Sequence, residues 1–206
     1  MADDIPIHSN SILRSNVQFA GLPNLKGVDA IPIWEKADRF VALMEGAHSV
    51  ADARTALTEL SEDRLLQMHR ILFDGDAAAG ILRQTAIAGR YRGQDCPEPK
   101  FIERSVRNLF SWMQSESVSE IHPIEKAALI LTRLVDIWPF EIGNLTAGVM
   151  LANFFLNHAN LPPFFVEPTH MKEFDRVVAQ AITIETQPLV STIYKTIKRE
   201  MEGLVR

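Results

Sequence analysis

The feature that most constrains this chain is a helical apolar period that keeps returning, with one interruption. Trp34, Ala37, Phe40, Val41 and Met44 share a helical face until Gly46 stops it, and another stretch starts at Ser49. Ser61 followed by Glu62 and Asp63 opens the next helix with an N-cap and early acids. Leu65, Met68, Leu72 and Phe73 form its apolar side, and Asp74-Gly75 ends it. The same period resumes over about 101–113, 123–137, 144–158, 169–184 and 188–204. A chain patterned this way buries helix against helix. The interruption is residues 84–96, where small apolar and polar residues alternate around Gly89 and Gly93, and there the pattern predicts a hairpin. The expected fold class is all-α with one short β-hairpin.

At 206 residues the chain fits one domain. Residues 1–32 carry Pro6, Pro23 and Pro32 with little periodicity and read as an irregular arm, which leaves 33–206 as a single helical domain. A net charge of −5 gives no electrostatic reason to expect nucleic acid or an anionic membrane as partner. The best membrane candidate, 127–138, is broken by Arg133 and Asp136 and falls short of the roughly 20 apolar residues a span needs. The first ten residues hold acids and no apolar run, unlike a secretory signal, so a cytoplasmic location is expected. Cys96 is the only cysteine, which argues against an internal disulfide, zinc or thiol redox chemistry. The six histidines form no triad or metal set: His69 and His122 read as structural or capping residues, and His48, His158 and His170 fall near helix ends. Neither a metal nor a cofactor is expected.

One junction carries more. The segment IWPFEIGNLTAGVMLANFFLNHANLPPFFV, 137–166, resembles the signature of the Fic family, H-x-F-x-[DE]-G-N-G-R-x-x-R, a loop running into an apolar helix. Ala79-Gly80-Ile81-Leu82-Arg83 resembles the family's segment before its flap, and His122-Pro123 with Ala127-Ala128 resembles the helix ahead of the motif. The last two helices resemble the family's C-terminal pair, so the resemblance spans roughly 33–200. It implies a Fic/Fido-like helical fold whose usual activity is transfer of AMP from ATP to a protein hydroxyl.

The motif is altered. Pro139, Phe140, Gly143 and Asn144 match, but Trp138 stands in the place of the histidine base, and an indole N–H cannot accept a proton. Ile142 stands where the resemblance implies a magnesium-binding acid, and it has no oxygen to offer. Leu145 replaces a glycine, and Thr146 and Val149 replace the two arginines. Glu141 lies one position before the metal slot, and a one-residue shift would turn its side chain to another face. Losing a base costs about 10²–10⁴ in rate. The expected function is therefore a pseudoenzyme that has lost AMP transfer and works by binding, with no catalytic residues. The alternative is a divergent Fic transferase that modifies a protein hydroxyl from a nucleotide or other phosphate-containing donor.

Other positions have their own readings. Gly143-Asn144 before a helix fits an anion-binding nest or simply a tight turn. Trp138 and Phe140 are expected to fill the pocket. The flap residues Arg83, Ile87, Arg90 and Arg92 are the candidate surface for a protein partner, which in the family adds there as a strand. Within 33–46, Val41, Glu45 and Gly46 resemble the family's inhibitory helix, although its arginine partner is Val149 here. A homo-oligomer fits the sequence as well as a monomer does.

Overall fold

The computed structural model describes residues 61–204 apart from 92, 165 and 167–169. The arm over 1–32, the helix expected over 33–46 with Val41, Glu45 and Gly46, and Arg92 lie outside the described residues. Helix α1 runs Glu62–Leu72, with the Ser61 hydroxyl accepting from the Arg64 N–H. Then come α2 (Pro99–Met113), the single turn α3 (Glu116–Ser119) and α4 (Pro123–Ile137), whose first turn is capped by the His122 ring. After a short loop follow α5 (Asn144–His158), α6 (Met171–Thr183) and α7 (Gln187–Leu204). The bounds of α4 and α5 are those the apolar period predicts. Only α3 carries no signal in the sequence.

The core forms around α5, because that helix is apolar nearly all round and such a helix must be buried. Leu145, Ala147, Val149, Leu151, Ala152 and Leu156 are all buried, against α1 on one side and α4 on another. Contact with α4 is close at Gly148, where an added Cβ would lie 2.7 Å from Leu131 Cδ1. Helices α2, α6 and α7 in turn pack on α4. Asn153, fully buried, pairs its amide with both the N–H and the carbonyl of Phe164, at 2.9 Å each, and ties the chain after α5 back to the helix. Among the described residues no helix is long and apolar enough to cross a membrane.

The hairpin expected over 84–96 is corrected. Among the described residues this segment holds no strand, and the nearest β feature is one isolated antiparallel bridge between Leu82 and Phe140. The reason is that side chains take the main-chain groups a ladder would use. Arg83 donates to the carbonyls of Thr85 and Pro97, and Gln94 Oε1 accepts the Tyr91 N–H. The segment closes as a loop around these side chains.

Candidate functional site

The loop between α4 and α5 is built from a strained start. Trp138 caps α4 in the left-handed region, φ 49°, with its N–H returned to Leu134 O. For a residue with a Cβ that conformation costs on the order of 1–2 kcal/mol, so the surroundings must enforce it. They do so through Arg83. Its Nε donates to Trp138 O at 2.7 Å, and its main-chain N–H donates to Pro139 O at 2.8 Å. The guanidinium is thus spent on three carbonyls, Trp138, Thr85 and Pro97, and the residue is only 1% exposed. Burial pulls its pKa down, against the opposing pull of Cys96 and Glu141.

The next turn is closed by two further devices. Asn144 accepts the Phe140 N–H with Oδ1 and donates Nδ2–H to the Phe140 carbonyl, at 2.8 and 2.9 Å. Gly143, at φ +67°, leaves room for the Phe73 ring, which a Cβ would meet at 2.0 Å. Both residues therefore shape the turn. Below it lies His69, fully buried, stacked on Phe140 with ring centroids 3.7 Å apart. Gly80 N–H donates to His69 Nδ1 at 2.8 Å, which places the ring proton on Nε2, where it is donated to Ile142 O at 3.0 Å. His69 so joins α1, the segment before Arg83 and the α4–α5 loop, a structural role that agrees with its reading in the sequence.

The site residues separate into interior and rim. Phe140, Ile142, Leu145, Thr146 and Val149 are buried. Trp138, expected to fill the interior, is only half-buried, because the left-handed turn carries the indole to the rim, where it meets Tyr91 edge-on at 6.4 Å. Glu141 is exposed and accepts the Thr85 hydroxyl proton at 2.7 Å. The alternation of exposed Glu141 with buried Ile142 confirms that the two positions face opposite ways. Nothing in the sequence signals the pairing of Glu141 with Thr85, which are 56 residues apart.

The flap residues do not form one exposed cationic group. Arg83 is inside, so it cannot meet a partner, and Ile87 is half-buried. Arg90 pairs with Asp175 of α6 at 2.9 Å, and the same carboxylate oxygen accepts the Tyr91 hydroxyl at 2.9 Å. Gln94 Nε2 donates to Val135 O at 2.7 Å near the end of α4, so the loop is fastened to two helices. Burial first, and then the Asp175 charge, hold the Tyr91 hydroxyl well above its ordinary range. Because the folded protein keeps this proton longer than the unfolded chain does, stability is full below about pH 10 and falls as pH rises above it. Tyr91→Phe is expected to cost about 1–2 kcal/mol at pH 7 and to flatten the alkaline loss, as read from urea melts at pH 7 and 11.

The magnesium ion that the resemblance implies does not fit these residues. Ile142 offers no oxygen, Glu141 supplies one carboxylate, and among the described residues no group of three or more His, Cys, Asp or Glu could hold a metal.

With this geometry in view, the comparisons with known proteins are consistent. Residues 59–156 match the model of the Fic/DOC family. The chain is similar to protein adenylyltransferase fic-1 of Caenorhabditis elegans, 29% identical over 140 residues that cover 66% of this chain and 27% of the relative. It is also similar to protein adenylyltransferase Fic of Nematostella vectensis, 28% identical over 123 residues, covering 56% and 29%. The chain thus spans about a quarter of the length of these curated relatives. Among solved structures, C. elegans Fic-1 superposes with TM-score 0.70 at 20% identity, covering 96% of this chain and 61% of that one. A Fic family protein from Desulfovibrio desulfuricans gives 0.63 at 18%, covering 98% and 65%. At these identities the structures speak for the fold.

Proposed function

Because residues 59–156 are a Fic/DOC-family domain, we propose that the chain is a divergent Fic-fold transferase, which moves a phosphate-containing group from a nucleotide or similar donor to a protein hydroxyl. The expectation of a pseudoenzyme acting only by binding is corrected: the curated relatives are named protein adenylyltransferases, and they favour the transfer reading. With Trp138 in place of a base, the chemistry falls to another residue.

The observation that carries this reading is the Thr85 hydroxyl held by the Glu141 carboxylate at 2.7 Å. That is the geometry a general base needs toward an acceptor hydroxyl. In the proposed reaction a Ser or Thr of the acceptor protein takes the place of Thr85, and Glu141 accepts its proton as the oxygen attacks phosphorus. The new O–P bond forms while the bond to the leaving phosphate oxygen breaks, releasing pyrophosphate when the donor is a nucleoside triphosphate. The acceptor segment lies along the loop after Leu82, beside the main-chain bridge to Phe140.

The test is transfer of label from radioactive nucleoside triphosphates to lysate proteins. Glu141→Gln is expected to lower transfer by about 10²-fold or more with little change in melting temperature, because Glu141 is exposed. Label incorporation that is equal in the variant, or absent with every donor, would sink the proposal.

A further inference from the structure

Trp138 sits in a conformation that its residue type does not favour. Among the described residues two positions other than glycine have a positive φ, Trp138 at 49° and Asn160 at 57°. Asparagine tolerates the left-handed region, whereas a bulky aromatic residue there is an outlier. A helix end of this shape ordinarily takes glycine or asparagine, so the ring is held against a backbone penalty. Core packing accounts for only part of this. The interior places of the loop go to Phe140 and Ile142, while the indole stays half-buried at the rim, in edge contact with Tyr91. The main-chain N–H and carbonyl of Trp138 go to Leu134 and Arg83, but among the described residues its indole N–H meets no acceptor. Backbone strain of this kind gathers where a side chain is needed for binding.

Trp138 and Glu141 are both tied to the segment 83–85, the first through Arg83 Nε and the second through the Thr85 hydroxyl. The indole therefore stands on the same rim as the carboxylate that the transfer reading uses. We propose that Trp138 is the platform on which the aromatic base of a nucleotide donor stacks. This inference rests on the transfer reading and narrows its donor, because a donor without a ring would gain nothing from an indole. The arginines nearest the loop are committed elsewhere: Arg83 serves three carbonyls, and Arg90 is paired with Asp175. Recognition of the donor leans on its ring more than on its charge. Stacking uses the π face that every base has, so any nucleotide fits, and purines, with the larger face, fit best.

The experiment is an NMR titration of the full chain that follows the indole N–H resonances, that of Trp138 being the one lost in Trp138→Phe. The probes are ATP and, as the control without a base, tripolyphosphate. ATP is expected to shift the Trp138 resonance with a Kd on the order of 1 mM, and tripolyphosphate to leave it in place. In the variants the main-chain amides of 140–144 report binding. Trp138→Phe should bind ATP within about threefold of the native chain, and Trp138→Leu, apolar but without a π face, about tenfold or more weaker. Thermal melts check that both variants are folded, and the titration of the native chain decides the question even if one is not. The proposal is overturned if about 10 mM ATP leaves the Trp138 resonance unmoved, if tripolyphosphate moves it equally, or if Trp138→Leu binds like the native chain. Label transfer without a shift at Trp138 would sink this inference alone, whereas ATP bound at Trp138 with no transfer would sink the transfer reading and leave this site standing.

Discussion

Arg83→Met is expected to lower stability by about 4 kcal/mol, which for a chain of this size corresponds to roughly 8–16 °C in melting temperature. The estimate follows from what the guanidinium does. It supplies the donors to Trp138 O, Thr85 O and Pro97 O among the described residues, at 2.7, 2.7 and 2.6 Å. A hydrogen bond from a charged donor contributes about 1.5–3 kcal/mol, and a buried carbonyl left without one costs a similar amount. The sum is reduced because the 85–97 loop is near the surface and water can reach part of it. Arg83→Lys should recover only part of the loss, since one ammonium cannot span three carbonyls in a fixed fork. Thermal melts of the three proteins decide it. A loss under 1 kcal/mol for the Met variant would show that the carbonyls find other donors.

Gly143→Ala is expected to cost about 3 kcal/mol. Two terms contribute: a left-handed backbone at a residue with a Cβ, about 1–2 kcal/mol, and overpacking against the Phe73 ring, about 1–3 kcal/mol. The steric term can be isolated by a double-mutant cycle. In a Phe73→Leu background the alanine should cost about half as much, because the ring atoms that its Cβ meets at 2.0–2.8 Å are gone. Equal costs in both backgrounds would assign the whole effect to the backbone and contradict the packing described above.

How much of this was legible in the sequence depended on whether the signal was local. The helices were, because their period and caps are written into neighbouring residues: Ser61 and His122 cap α1 and α4 as read, and Gly75 takes its positive φ after α1. Gly143 was legible as a turn for the same reason. The loop over 84–96 was misread as a hairpin, because alternation reports two faces but not which groups satisfy the backbone. Here the partners are a side chain from outside the segment and carbonyls as distant as Pro97. Arg83 looked like a surface cation, since nothing nearby in the chain shows that three carbonyls surround it. Trp138 gave no warning of its left-handed conformation, which Arg83 imposes from 55 residues away. Glu141 was weighed only against the metal slot one position on, and its hydrogen bond with Thr85, on another segment, has no local signal.

The burial of Leu145, Thr146 and Val149 in α5 limits what these three positions can become. All three are part of the core, and an arginine placed at the fully buried Val149 would have no water to receive its charge. The neighbouring core residues would have to change first, and each of those changes alone would open a cavity. Substitution is therefore far easier at the exposed Glu141 and Thr85 than at these three positions of α5.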